Sequence, residues 1–87
     1  MTDKFKYSYN ICDQFAPDLF EKQCNALEKN IPGLEKKDLL VDVDGSAIQM
    51  YSLNGSDMNV INDYEVGALF INSNFDIEPY FQSNTTR

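Results

Sequence analysis

A chain of 87 residues has room for one folded domain, because chains of this size bury a single core and larger cores come with longer sequences. Its hydrophobic fraction of 43%, with five Tyr and six Phe, excludes the composition of disordered chains, and no stretch approaches the roughly 18 apolar residues of a membrane-spanning helix. Fourteen acids against seven bases give a net charge of -7, which argues against direct binding to nucleic acid or to an anionic membrane.

The opening residues Lys4 to Ile11 alternate Lys4, Lys6, Ser8 and Asn10 with Phe5, Tyr7, Tyr9 and Ile11, the period-2 pattern of a half-buried strand. Pro17 follows as a first helical residue, with Asp18 and Glu21 in the first turn, where the helix dipole favours negative charge. A helix is predicted over Pro17 to Asn30, with Phe20, Cys24, Leu27 and Ile31 on one buried stripe and Pro32-Gly33 as its stop. Leu39 to Asp44 reads as the second strand, with Leu39, Val41 and Val43 inward and Leu40, Asp42 and Asp44 outward.

Asp44-Gly45 and Asn54-Gly55 are hairpin signals, since both dipeptides tolerate the positive φ of tight turns. They bracket a third strand from Ala47 to Leu53. Met58 to Ile61 reads as a short fourth strand or an extended loop. Val66 to Ile71 is the most continuously apolar stretch, as expected of a central strand covered on both faces. Asn72-Ser73-Asn74 breaks it, and Phe75 to Phe81 follows as an acidic-aromatic segment, one turn of helix or an edge strand. The order β-α-β-β-(β)-β predicts an α+β fold in one domain: a small antiparallel sheet of four to five strands with one helix packed on a face, and residues 82–87 as a flexible tail.

Charge is unevenly spread. Residues 1–37 carry six lysines and six acids, whereas residues 38–86 carry eight acids and no Lys or Arg. Such a one-signed field steers a basic protein surface into contact. Histidine is absent, which removes the usual general base, the usual metal ligand and any Ser-His or Cys-His pair. The four glycines stand singly, so no phosphate-cradling loop is present. Asp42 to Ser46 opens like a calcium loop, but Ala47 occupies the position of the required glycine and Leu53 that of the bidentate Glu. No catalytic residue, metal or cofactor is predicted, and Cys12 and Cys24 read as reduced core residues. With no membrane segment in view, the expected compartment is the cytoplasm.

On a strand, Asp42 and Asp44 would stand about 6 to 7 Å apart on one face, a spacing similar to that of successive backbone phosphates. Carboxylates at that repeat stand in for phosphates in a groove lined with Arg and Lys. Tyr51, Tyr64 and Tyr80 lie between the acids in sequence as rigid contact residues. The expected partner-binding set is Asp42, Asp44, Asp63, Glu65, Asp76 and Glu78 with Tyr64 and Tyr80, and the expected partner a basic protein such as a nuclease or another nucleic-acid-binding effector.

In its size and acidity, its opening strand then helix, and its apolar strand ending in Phe75-Asp76-Ile77-Glu78-Pro79-Tyr80-Phe81, the chain resembles the small phage anti-restriction proteins that mimic DNA, the Arn-like family. The resemblance implies an inhibitor that occupies the DNA site of a restriction or CRISPR effector. Lys4, Lys6, Lys36 and Lys37 depart from an all-round anionic surface, which points to a one-faced mimic. An immunity protein or antitoxin against a nuclease toxin, and a non-catalytic structural subunit, are the alternatives.

Overall fold

A computed structural model of the chain describes residues 5–82. In chain order the elements are β1 (Tyr7–Cys12), α1 (Pro17–Asn30), β2 (Glu35–Val41), β3 (Ala47–Leu53), β4 (Ser56–Asp63), β5 (Ala68–Ser73) and α2 (Glu78–Gln82). The strands form one antiparallel sheet in the order β1-β5-β4-β3-β2. This is the predicted α+β fold, with five strands and a short second helix. Among the described residues no helix is long and apolar enough to cross a membrane.

The helix α1 has the predicted bounds. It starts at Pro17 because that residue needs no intrahelical partner for its missing N–H. Its stripe of Cys24 and Leu27, followed by Ile31 just past its end, packs on Tyr51, Met58, Val60, Leu69 and Ile71, and Ile77 closes the same cluster. Register places three rows across β3, β4 and β5 on this covered face: Ala47–Asn62–Leu69, Gln49–Val60–Ile71 and Tyr51–Met58–Ser73.

Each row holds one buried polar residue, Asn62, Gln49 or Ser73, and each bonds backbone where the chain leaves regular structure. Asn62 Oδ1 accepts from the Ala16 N–H at 3.0 Å, fixing the entry to α1. Gln49 Nε2 donates to the Lys37 and Asp38 carbonyls at 3.1 and 3.2 Å, at the point where β2 slips register between Lys36 and Leu39. Ser73 Oγ donates to the Phe75 carbonyl at 2.6 Å and accepts the Phe75 N–H at 3.0 Å, turning the chain out of β5. Buried polar groups without such partners would cost about 1–3 kcal/mol each.

Four expectations are corrected. The first strand begins at Tyr7 rather than Lys4, which lies outside the described residues. The second strand is shifted towards the N-terminus and exposed along its whole length: Leu39, Val41 and Val43, expected inward, are 53%, 66% and fully exposed. As an edge strand, β2 lies at the margin of α1, with Lys36 and Leu39 beside the helix but left exposed, so its charged first half pairs with β3 at no burial cost. The segment around Met58 is a full central strand of eight residues, its Asn-rich sequence hiding the alternation Met58, Val60, Asn62 on the covered face. The apolar strand β5 is covered on one face only, with Leu69, Ile71 and Ser73 buried and Ala68, Phe70 and Asn72 half-buried; Asn72 and Ser73, expected to break it, belong to it. Gln82, the first residue of the predicted tail, ends α2, and the remainder of that tail lies outside the described residues.

Candidate protein-docking site

Three connections meet at one end of the sheet: the loop from β1 to α1, the turn from β2 to β3, and the turn from β4 to β5. In the second, the Gly45 N–H donates to the Asp42 carbonyl at 3.1 Å, the Asp42 N–H donates to the Ser46 carbonyl at 2.8 Å, and Gly45 has φ +94°. That geometry is a three-residue hairpin loop with glycine at its left-handed position. In the third, the Gly67 N–H donates to the Asp63 carbonyl at 2.9 Å and Asp63 Oδ1 accepts the Val66 N–H at 3.2 Å.

The two turns are fastened together. Ser46 Oγ accepts the Tyr64 N–H at 2.8 Å, and the Phe15 ring meets Tyr64 edge-on at 5.2 Å while its far end also lies against Gly45. Asp42, Asp44, Asp63 and Glu65 are thereby held as one group around a groove of about 400 Å³ whose floor is Leu40, Val41, Ile48 and Ile61. Asp42 and Asp44 lie in the turn rather than on a strand face. Their carboxylates accept the backbone N–H groups of Val43 at 2.7 Å and Ser46 at 2.9 Å, so the phosphate-like repeat expected of a strand is replaced by two carboxylates set by turn geometry.

The groove opens onto the face of the sheet that α1 does not cover. Register aligns Leu40, Ile48, Ile61 and Phe70 in one row across β2, β3, β4 and β5. Asp63 and Ala68 precede this row on the acidic side, and Met50, Asn59 and Asn72 follow it on the other. Both helices and Ile77 join the opposite face, and on this one Phe5 lines a hollow with Met50 and Asn59, beside Lys37, Asp38 and Asp57. Of the eight large exposed apolar residues, Leu40 and Val41 line the groove and Val43, Tyr64 and Val66 stand in the turns at its rim, whereas Leu39 pairs with Gln49 of the covered face and lies beside α1. Single exposed apolar residues are ordinary, whereas a contiguous patch rimmed by polar groups marks an interaction surface.

The charge is polarised along the strands. Residues 12–18, 42–46 and 63–67, which make up this end, contain Asp13, Asp18, Asp42, Asp44, Asp63 and Glu65 and no Lys or Arg. The two ion pairs among the described residues, Lys36 with Glu28 at 3.4 Å and Lys37 with Glu35 at 3.5 Å, are at the opposite end.

Of the expected partner-binding set, the structure brings together Asp42, Asp44, Asp63, Glu65 and Tyr64. It separates Asp76 and Glu78, because β5 carries the chain back about 20 Å before they occur. Asp76 Oδ1 accepts the Tyr9 hydroxyl at 2.9 Å and the Glu78 N–H at 3.0 Å. Tyr80 packs against the core, and Tyr51, read as a contact residue, is buried with its hydroxyl donating to Glu28 Oε2 at 2.5 Å. Sequence reasoning missed the apolar row. Its signal was present in Leu69-Phe70-Ile71 and in Ala47-Ile48-Gln49-Met50-Tyr51, where apolar residues occupy both phases of a strand while the chain supplies one long helix to cover them.

Among the described residues no three acids or cysteines converge closely enough to hold a metal ion. Both cysteines are free thiols, and burial pushes the Cys24 thiol up from its ordinary value. Comparison with protein-family models, curated proteins and solved structures finds no match to this chain.

Proposed function

We propose that this chain is a non-catalytic inhibitor that acts in the cytoplasm by docking its acidic end on the basic nucleic-acid-binding surface of a nuclease or related effector, denying that surface to DNA. The observation that carries the reading is the joining of four carboxylates to an apolar groove at an end whose described connections carry no Lys or Arg. Carboxylates held on tied turns meet Arg and Lys through charge-assisted hydrogen bonds without first being ordered. The phage anti-restriction or anti-CRISPR setting gives the biological expectation for such a DNA mimic.

One feature favours a second setting, an immunity protein that neutralises a nuclease toxin. Five exposed apolar side chains beside the acids, Leu40, Val41, Val43, Tyr64 and Val66, supply contact area specific to one protein surface, which imitation of a phosphate backbone does not require.

Both settings share one test. The tagged chain, and a variant carrying Asp42→Asn, Asp44→Asn, Asp63→Asn and Glu65→Gln, are used to capture partners from host and toxin-producing lysates. The captured protein is then assayed for DNA binding. The expected partner is basic, loses its DNA when the wild-type chain is added, and binds the variant about 2 to 5 kcal/mol more weakly, the cost of leaving buried cations unpaired. A partner that binds DNA and this chain at the same time would refute the reading.

A further inference from the structure

We infer that the uncovered sheet face receives an amphipathic α-helix of the partner, its apolar stripe lying along Leu40, Ile48, Ile61 and Phe70 and its Lys and Arg residues confined to one flank. The inference rests on the basic-partner reading and adds the shape and polarity of the element recognised.

Four strands spaced about 4.8 Å apart make the row about 14 Å long. A helix rising 1.5 Å per residue places apolar residues at i, i+4, i+7 and i+11 over about 16 Å. The covered face already holds such a helix, since α1 seats Phe20, Cys24 and Leu27, with Ile31 at its cap, on the same strands. The two borders of the open row differ. One has Asp63 with the acidic turns, and the other has Met50, Asn59 and Asn72, with Lys37, Asp38 and Asp57 beside them. A helix lying there meets four carboxylates and no cation on one side, and on the other amides with two carboxylates offset by Lys37, so cations on the second flank would lose hydration for less attraction.

The net charge of -7 and the six acids at this end oppose a second copy of the chain as the occupant. The alternative of strand addition at β2 is limited by geometry. The register slip between Lys36 and Leu39 interrupts that edge, and the Lys37 and Asp38 carbonyls are occupied by Gln49, leaving a short run ahead of the turn.

The experiment is a peptide-display selection on the wild-type chain with two libraries of equal composition, one with helical spacing of apolar residues and one with strict alternation, the remaining positions drawn from Lys, Glu and Ser. The expected result is enrichment from the helical library with Lys on one flank. The best peptide, synthesised, should bind Ile48→Lys and Ile61→Lys about 10-fold or more weakly than wild type, with Leu39→Ser unchanged. The same peptide with its flanks exchanged should also be weakened. Amide spectra of both Lys variants confirm the fold, and Ile61→Thr is the milder substitute if either unfolds.

Absence of enrichment, enrichment of the alternating library, cations on both flanks, or binding indifferent to both Lys variants would each overturn the helix. Failure of the parent reading looks different: capture of the natural partner would then be unaffected by neutralising the four acids. Capture that depends on those acids but not on Ile48 or Ile61 would keep the basic partner and discard the helix.

Discussion

Tyr51 shows how a single side chain is decided by its neighbours. Its ring lies in the core, and its hydroxyl donates to a Glu28 carboxylate that also meets Lys36 Nζ at 3.4 Å. Burial, and then the bond to Glu28, push its pKa far above the ordinary value of 10.0. The folded chain therefore keeps a proton that the unfolded chain releases, and stability present below pH 10 is lost as pH rises. Urea unfolding from pH 7 to 11 should show that loss at about 1.4 kcal/mol per pH unit for this group, preceded by a shallower decline from about pH 9 as unfolded Cys24 ionises. Tyr51→Phe should cost about 1.5–3 kcal/mol at neutral pH and leave only the limb produced by Cys24 and by Tyr9, whose hydroxyl is also raised by burial. An unchanged alkaline limb would place the titrating group elsewhere. None of this was legible in Ala47-Ile48-Gln49-Met50-Tyr51, where the phase holding Ile48 and Met50 is the more apolar. The helix covers the other phase because Gln49 is needed at the irregular backbone of β2.

Elements with local stop signals were legible, and elements defined by their neighbours were not. The helix α1 is bounded by Pro17 and by Pro32-Gly33, signals that act within one turn. The two-residue loop at Asn54-Gly55, with φ values of 53° and 86°, follows likewise from residues that accept positive φ. In contrast, the inward or outward facing of β2 depends on where α1 ends its cover, a fact of the assembled sheet. The contrast predicts unequal costs for similar residues. Leu27→Ala, at a position 2% exposed, should destabilise by about 2–5 kcal/mol, whereas Leu39→Ser should stay within about 0.5 kcal/mol. Chemical denaturation of the two variants checks this directly, and a large loss at Leu39 would put β2 back into the core.

At the scale of the whole molecule, the acidic half of the sequence becomes an acidic end of the fold. The hairpin β3–β4 returns the chain to where β2 left it, so Asp42 and Asp44 meet Asp63 and Glu65 although about 20 residues separate them in the sequence. The return along β5 removes Asp76 and Glu78 from that group, which composition alone could not reveal. A field concentrated at one end acts on encounter before contact, and its reach is about 8 to 10 Å at physiological salt. Stopped-flow association with the captured partner should therefore slow steeply between low and moderate salt while dissociation changes little. Neutralising Asp42, Asp44, Asp63 and Glu65 should flatten that dependence. Neutralising Asp57, Asp76 and Glu78 should leave most of it, because those acids share their end with Lys6, Lys36 and Lys37. Equal flattening by both sets would mean a diffuse field of the whole chain, and a salt-independent rate in the wild type would remove electrostatic steering altogether. The same field predicts that the chain alone does not retard labelled duplex DNA in a gel, since the phosphates would face carboxylates at the end where the apolar groove invites contact.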